Sequence, residues 1–250
     1  MKRWLNRGAL EATLFFVALG ILWEYAVRAG DIKAYLLPAP SDILSEMWRS
    51  RTALLEHGWV TLQEVLSGFA FAFVFSPILA VMIFFVPVLR RTLYPLMIAL
   101  QSIPKVGLAP IVVVWFGYGL SSKVLMAFLF AFFPLLIAAL GGLKATPEHL
   151  VEHFRALRAS FWQTLVQLRL PSAMPAFIDG CKVAMPLAVI GAVVGEFIGS
   201  YEGLGNLVMV ASGSANSSLT FAALIAVTLL SLVLFWIIEV LGRLVWWQAR

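Results

Sequence analysis

Six long apolar runs constrain the fold of this chain more than any other feature of its sequence. In an α-helix, about 20 apolar residues cross the ~30 Å hydrocarbon core of a bilayer. Backbone groups in hydrocarbon must pair within the chain, so a run of this length is expected to be helical. The sequence therefore predicts an all-α, polytopic membrane bundle of about six transmembrane helices. The runs cover residues 9–28, 64–87, 93–117, 122–143, 176–199 and 217–242.

The composition agrees with an integral membrane protein. Hydrophobic residues make up 62% of the 250 residues and charged residues 12%, whereas soluble domains contain roughly 45–50% and about 25%. We expect a single transmembrane domain over residues 1–250, with its core at about 60–245. The net charge of +5 does not indicate nucleic acid, because the basic residues lie beside apolar runs rather than on one polar surface. We therefore expect the chain to be embedded in a lipid bilayer.

The basic residues predict the orientation of the chain. Cytoplasmic segments of membrane proteins carry an excess of lysine and arginine, and this excess arises here if both termini are cytoplasmic. Residues 145–175 then form a cytoplasmic loop, and residues 29–63 form an extracytoplasmic surface segment. The basic residues on the cytoplasmic side are Lys2, Arg3, Arg7, Arg90, Arg91, Lys144, Arg155, Arg158, Arg169, Arg243 and Arg250. Those on the opposite side are Arg28, Lys33, Arg49, Arg51 and Lys123.

Prolines interrupt the third apolar run, at Pro104 and Pro110. Proline removes a backbone donor, and lipid cannot satisfy the groups left unpaired, so protein or water must surround this stretch. Lys105 lies halfway along the run. Either a water-lined translocation pathway or a carboxylate partner would hold its charge, and both interpretations stay open.

The fifth apolar run carries two further charged candidates for a pathway, Lys182 and Glu196. Asp179 precedes Lys182 by three residues, so a local ion pair on one helix face is an alternative role for the lysine. The same run contains Gly191, Gly195 and Gly199. Small residues at this spacing let a second helix approach closely, either within one chain or between subunits.

No catalytic motif emerges from the sequence. His149, Glu152 and His153 spell H-x-x-E-H, a zinc-peptidase signature in inverted order. A third ligand is needed, and the remaining histidine, His57, is expected on the opposite side of the membrane. None of the lysines belongs to a G-x-x-x-x-G-K-[ST] loop. We therefore expect no catalytic residue, no metal site and no cofactor bound by this chain.

The polar stretch between the fourth and fifth runs resembles the cytoplasmic EAA loop of ATP-binding-cassette (ABC) importer permeases. That loop reads roughly E-A-A-x-x-x-G, about nine residues, then I-x-L-P. Here EHFRALR covers residues 152–158, nine residues follow, and LRLP ends at Pro171. His153 and Phe154 replace the two alanines, and Arg158 replaces the glycine. The loop residues implied by the resemblance are Glu152, His153, Phe154, Ala156, Leu157, Arg158, Ala159 and Pro171.

Four further blocks are similar to the nitrate, sulfonate, taurine and thiamine-precursor branch of these permeases. They are LLPAPSDIL at 36–44, TLQEVLSGF at 61–69, QSIPKVGLAPIVVVWFG at 101–117 and GEFIGSYEGLG at 195–205. The resemblance implies a type I importer fold in the bacterial inner membrane and a permease homodimer. It also implies separate ATPase subunits that use ATP and Mg, docked on the EAA loops, and an extracytoplasmic substrate-binding protein.

The implied cargo is a small anionic or aromatic organic solute, such as a sulfonate, taurine, nitrate or a thiamine pyrimidine precursor. Two alternatives differ in what they require. A secondary transporter or channel would work alone on an ion gradient, and a membrane zinc peptidase would use His149 and His153.

Overall fold

The computed structural model describes the backbone of residues 2–244 and the side chains of residue 11 and residues 13–244. All regular structure in this part of the chain is helical, as predicted. A short 3₁₀ turn at Lys105–Leu108 precedes α5, and a π-helical turn at Leu165–Arg169 joins α8 to α9. The helices are α1 Lys2–Ala29, α2 Pro40–Arg49, α3 Arg51–Phe85, α4 Pro87–Gln101, α5 Ala109–Phe116, α6 Leu120–Lys144, α7 Glu148–Ala156, α8 Phe161–Thr164, α9 Leu170–Gly199, α10 Leu204–Gly213 and α11 Ser217–Leu244.

Four helical units in the described part are long and apolar enough to cross a bilayer: α3, α6, the continuous α8–α9 unit and α11. The pair α4–α5 makes a fifth span if its two halves are counted together. α1, with 28 residues, covers the first predicted run. These units account for all six apolar runs, so the predicted bundle agrees with the structure.

Two elements differ from the simplest interpretation of the apolar runs. α3 begins at Arg51 rather than near residue 64, so the last part of the predicted surface segment continues a 35-residue helix. The third run is not one straight span. α4 meets the helical stretch Lys105–Phe116, which consists of the 3₁₀ turn and α5, at an angle of 91°. The bend falls at Ser102–Pro104, where Pro104 cannot donate a backbone hydrogen bond to continue α4.

The core is built around α6, which packs against α3 on one side and α9 on the other. Small residues make both contacts close: Ala127 and Ala131 of α6 and Ala188 and Ala192 of α9 are buried. At Gly68 of α3, an added Cβ would lie 2.7 Å from the Val124 carbonyl oxygen. Backbones at such distances leave no room for larger side chains, so residue size fixes the spacing of the three helices.

A second apolar cluster closes one end of the bundle. Ile43 of α2, Leu204 and Leu207 of α10, and Ala222 and Ala223 of α11 are buried together there. We call this end, which carries α2 and α10, the α10 end. The opposite end carries α7, α8 and the start of α9, and we call it the α7 end. The candidate sites lie at these two ends and at the bend between α4 and α5.

Candidate functional site

The α7–α8 segment, residues 148–169, contains most of the predicted EAA-loop residues. α7 ends in a Schellman turn, in which the Ala159 amide donates to the Phe154 carbonyl (3.0 Å). Arg158 lies in the left-handed region there, at φ 52°. The usual glycine position of the loop therefore keeps a glycine-like conformation although it carries a side chain. An arginine at this conformation costs about 1 kcal/mol relative to glycine.

The start of α8 is fixed by a capping box that the sequence analysis missed. The Gln163 amide donates to Ser160 Oγ (3.3 Å), and the Ser160 amide donates to Gln163 Oε1 (2.7 Å). The S-x-x-Q spacing is the sequence signal for this arrangement. Together, the Schellman turn and the capping box define the angle between α7 and α8.

The outer surface of the α7–α8 segment combines polar and large apolar side chains. Glu152, His153 and Ala156 are exposed. Leu157 is 66% exposed and Trp162 is 69% exposed, although Trp162 was not among the predicted residues. Large apolar groups exposed beside polar ones at the α7 end form a surface suited to contact with another protein.

The α7–α8 segment is tied to the spans by aromatic contacts. The ring of Phe161 packs edge-on against Phe85 at the end of α3, with centroids 4.7 Å apart. The guanidinium of Arg169, in the π-helical turn, lies 4.8 Å from the Phe84 centroid. Arg169 also donates to the Leu143 carbonyl of α6 (3.4 Å). Pro171 lies directly after this turn, in the first turn of α9. The segment therefore contacts α3, α6 and α9 at once.

Lys105 is half-buried at the bend between α4 and α5, beside the exposed Pro104. Its Nζ lies 5.0 Å from the ring centroid of Phe133 and 5.5 Å from that of Phe130, both on α6. None of the ion pairs among the described side chains includes Lys105. The aromatic faces thus hold the ammonium in place of the carboxylate considered as an alternative.

Lys182 occupies a different environment from Lys105. Its Nζ bridges Asp179 Oδ1 (3.0 Å) and Glu239 Oε2 (2.8 Å). Glu239 in turn accepts from Arg243 Nε (2.9 Å). This network joins α9 to α11, so the local pair with Asp179 is present and extends to a second helix.

Glu196 is 1% exposed and lies beneath the start of α10. Its carboxylate accepts from Thr61 Oγ1 of α3 (2.6 Å) and from the Gly205 amide of α10. At Gly203, φ is 99° and an added Cβ would lie 2.2 Å from Glu196 Oε1. Only glycine fits both the conformation and the space. These contacts join α3, α9 and α10.

A lysine that the sequence analysis treated only as a flanking charge completes this cluster. Lys123 of α6 is 1% exposed and donates to the carbonyls of Tyr118, Gly119 and Gly199. The carboxyl of Glu64 is buried in the same cluster, and its Oε2 has no hydrogen-bond partner within the part of the chain that the structure describes. Buried ionisable side chains of α3, α6 and α9, together with the Gly205 backbone amide of α10, form one polar cluster at the α10 end.

The glycines of the fifth run face neighbours within the same chain. A Cβ at Gly191 would lie 2.6 Å from the Met126 carbonyl oxygen, and one at Gly195 would lie 3.2 Å from the Lys123 Cα. Gly199 faces the side chains of Val113 and Tyr118. The stripe therefore makes close helix contacts within one chain, which is one of the two alternatives raised by the sequence.

The H-x-x-E-H residues lie on α7, where His149, Glu152 and His153 are exposed. Among the described side chains, no group of three or more His, Cys, Asp or Glu residues is arranged to hold a metal ion. The H-x-x-E-H residues thus lie on a polar surface helix.

Comparisons with known proteins bear on the fold and the family. A family model described as "Binding-protein-dependent transport system inner membrane component" matches residues 72–247. The formylaminopyrimidine transport permease protein ThiX of Halalkalibacterium halodurans is 40% identical over 206 residues, which cover 82% of this chain and 81% of the relative. The riboflavin transport system permease protein RibX of Chloroflexus aurantiacus is 34% identical over 244 residues, covering 96% and 91%.

A solved structure is similar in fold. It is the MetNI methionine ABC transporter in an inward facing conformation, and the superposition gives a TM-score of 0.69 at 21% sequence identity. The match covers 79% of this chain and 98% of that chain. The type I importer permease fold implied by the EAA-like segment is thus supported by overall geometry.

Proposed function

Because the chain belongs to the family of binding-protein-dependent transport system inner membrane components, we propose that this ABC permease couples import to a separate ATPase through its α7–α8 segment. The proposal rests on one observation: the segment exposes large apolar side chains and also contacts the spans of the bundle. The segment exposes Leu157 and Trp162, whereas its residues Phe161 and Arg169 contact the spans α3 and α6.

The outer surface suits docking into a groove of a partner. Leu157 and Trp162 supply apolar anchors, and Glu152 adds a charge at the rim. A short amphipathic helix that presents such anchors fits helix-in-groove recognition. The ATPase would hydrolyse ATP with Mg, since this chain has no phosphate-binding loop of the Walker type.

The inner contacts provide a mechanical route from the docking surface to the bundle. A shift of the segment would displace Phe161 against Phe85 and Arg169 against Phe84, at the ends of α3 and α9. Packed aromatic contacts transmit displacement because protein interiors are close-packed. Rocking of spans around a central pathway is the expected response.

We place the translocation pathway beside the bend between α4 and α5. Ser102, Ile103 and Pro104 are exposed there, and non-helical backbone at membrane depth needs protein or water around it. A second copy of the chain facing this bend would form a homodimer with the pathway between the copies. Lys105 would then provide hydrogen-bond donors to the passing cargo. Both termini and the α7 end would be cytoplasmic, and the binding protein would deliver cargo at the α10 end.

The proposed cargo is a small nitrogen heterocycle. ThiX and RibX are named for formylaminopyrimidine and riboflavin, which share planar nitrogen-containing rings. Such rings present acceptor atoms that an ammonium such as Lys105 can contact. This class of cargo is narrower than the anionic or aromatic organic solutes implied by the sequence resemblance.

The test introduces a charge on the docking surface. Ala156→Asp and Leu157→Asp should abolish ATP-driven uptake in proteoliposomes that contain the ATPase and the binding protein, because a buried unpaired carboxylate opposes docking. Formylaminopyrimidine and riboflavin serve as test cargoes. The thermal stability of the permease alone should not change, since both positions are exposed.

The matched control is Thr52→Asp, an exposed position at the α10 end, far from the docking surface. It should retain co-purification of the ATPase, which does not depend on the binding protein. Normal uptake by Ala156→Asp and Leu157→Asp would contradict coupling through this segment. Loss of the bound ATPase from Thr52→Asp as well would show that co-purification responds to an added charge in general.

A further inference from the structure

A cavity of ≈ 230 Å³ lies between the α7–α8 segment and the end of α3. Arg155 of α7 and Arg169 of the π-helical turn both line it, together with Phe85 and Phe161. No acidic side chain is among its lining residues. Arg155 and Phe161 are exposed, so the cavity opens to the surface. Two arginines thus line a small space that has no acidic residue in its lining.

The hydrogen-bonding capacity of the two arginines is largely unused. Among the described side chains, Arg155 has no recorded hydrogen bond, ion pair or ring contact. Arg169 makes one long bond, to the Leu143 carbonyl (3.4 Å), and otherwise stacks on Phe84 and Phe85. Each guanidinium carries five N–H donors in a planar fork. An oxyanion in the cavity would receive donors from both groups and offset their mutual repulsion.

The position of the cavity indicates where that oxyanion comes from. Its inner wall is Phe85, the last residue of the bilayer-spanning helix α3, and the neighbouring Phe84 supports Arg169. The exposed residue Arg155 also lines the cavity. An apolar wall at the end of a span, with cations above it, matches the boundary between acyl chains and phosphates in a bilayer.

We propose that this cavity binds the phosphate group of an anionic phospholipid in the leaflet at the α7 end. The two guanidiniums contact the phosphate oxygens, and the acyl chains extend along the phenylalanines at the end of α3. A protein carboxylate would satisfy the charge equally well, but it would leave the apolar wall beside the membrane without a complementary partner. The lipid would brace the α7–α8 segment against α3 whether or not an ATPase is attached.

The experiment uses the full-length purified permease in a neutral detergent, without ATPase. Thermal unfolding is followed while phosphatidylglycerol, phosphatidylcholine or inorganic phosphate is added. Phosphatidylglycerol should raise the melting temperature in a saturable manner, and phosphatidylcholine should not. An equal rise with inorganic phosphate at the same concentration would overturn the lipid assignment in favour of a free-anion site.

Two variants, and a control described below, test whether phosphatidylglycerol binds in this cavity. Arg155→Gln should weaken the apparent affinity for phosphatidylglycerol by roughly tenfold or more, the loss expected for one charge-assisted contact. It should leave the lipid-free melting temperature unchanged, because the Arg155 side chain makes no hydrogen bond or ion pair with residues that the structure describes. Arg169→Lys keeps the charge but not the planar fork, so it should weaken binding less than Arg155→Gln.

The control is Arg91→Gln, an exposed arginine on α4 that does not line the cavity. It should keep the full response to phosphatidylglycerol. An undiminished response in Arg155→Gln, or an equal loss in Arg91→Gln, would overturn the proposed site. Because no ATPase or cargo is present, failure here leaves the test of coupling through Ala156 and Leu157 unaffected.

Discussion

Replacing Gly191 by alanine tests a close contact between α9 and the backbone of α6. The added Cβ would lie 2.6 Å from the Met126 carbonyl oxygen and 2.9 Å from the Ala127 Cα. The first distance is about 0.8 Å short of the ordinary contact range, which begins at 3.4 Å. Both atoms belong to the backbone of α6, so no side-chain rotation can relieve the clash. α9 and α6 must move apart along a buried interface.

The expected cost follows from two opposing effects. Overpacking of a well-packed core destabilises by about 1–3 kcal/mol. Alanine gains up to about 1 kcal/mol over glycine in a helix interior. The net result should be a loss of about 1–2 kcal/mol, seen as a lower midpoint in thermal or denaturant unfolding of the purified permease.

Gly141→Ala is the matched control on the partner helix α6. Gly141 is exposed and nothing lies within 4 Å of a Cβ at this position. The substitution should stabilise by about 0.5–1 kcal/mol through helix propensity alone. The difference between the two variants isolates the packing effect. Equal stability of Gly191→Ala and Gly141→Ala would refute the backbone contact on which the argument rests.

Two further substitutions test individual contacts, both by thermal unfolding of the purified permease. Arg158→Gly should stabilise the α7–α8 turn by about 1 kcal/mol, because glycine adopts φ 52° without steric cost; unchanged or lower stability would argue against the left-handed turn. Glu196→Ala should destabilise by about 1–3 kcal/mol, since it leaves Thr61 Oγ1 and the Gly205 backbone amide buried without the carboxylate that accepts from them. Glu202→Ala, exposed nearby, is its control, and similar melting temperatures for both would contradict the buried cluster.

The spans were predictable because hydropathy acts over the length of each helix. The apolar runs at 122–143 and 217–242 correspond closely to α6 and α11. The bend between α4 and α5 was only partly predictable. Pro104 showed that the helix is interrupted, but the angle of 91° depends on how α5 packs against α6 and α9, which a single run does not encode.

The candidate site was likewise predictable from the sequence only in part. The α7–α8 segment was recognisable because its residues are adjacent in sequence, and the Ser160–Gln163 box could have been found from its spacing. The cluster around Glu196 was not predictable, since it joins side chains 73 and 135 positions apart, Lys123 and Thr61. Such contacts arise from tertiary packing, and each residue alone was compatible with a position at the membrane interface.

Coupling to a separate ATPase through the α7–α8 segment is the central claim. The most direct measurement is purification of the tagged permease from its native membrane in mild detergent, followed by mass spectrometry of the bound proteins and an ATPase assay. The account predicts a stoichiometric ATPase subunit that is lost from the Ala156→Asp variant. A permease that purifies alone under several gentle conditions, or an ATPase retained in full by Ala156→Asp, would contradict it.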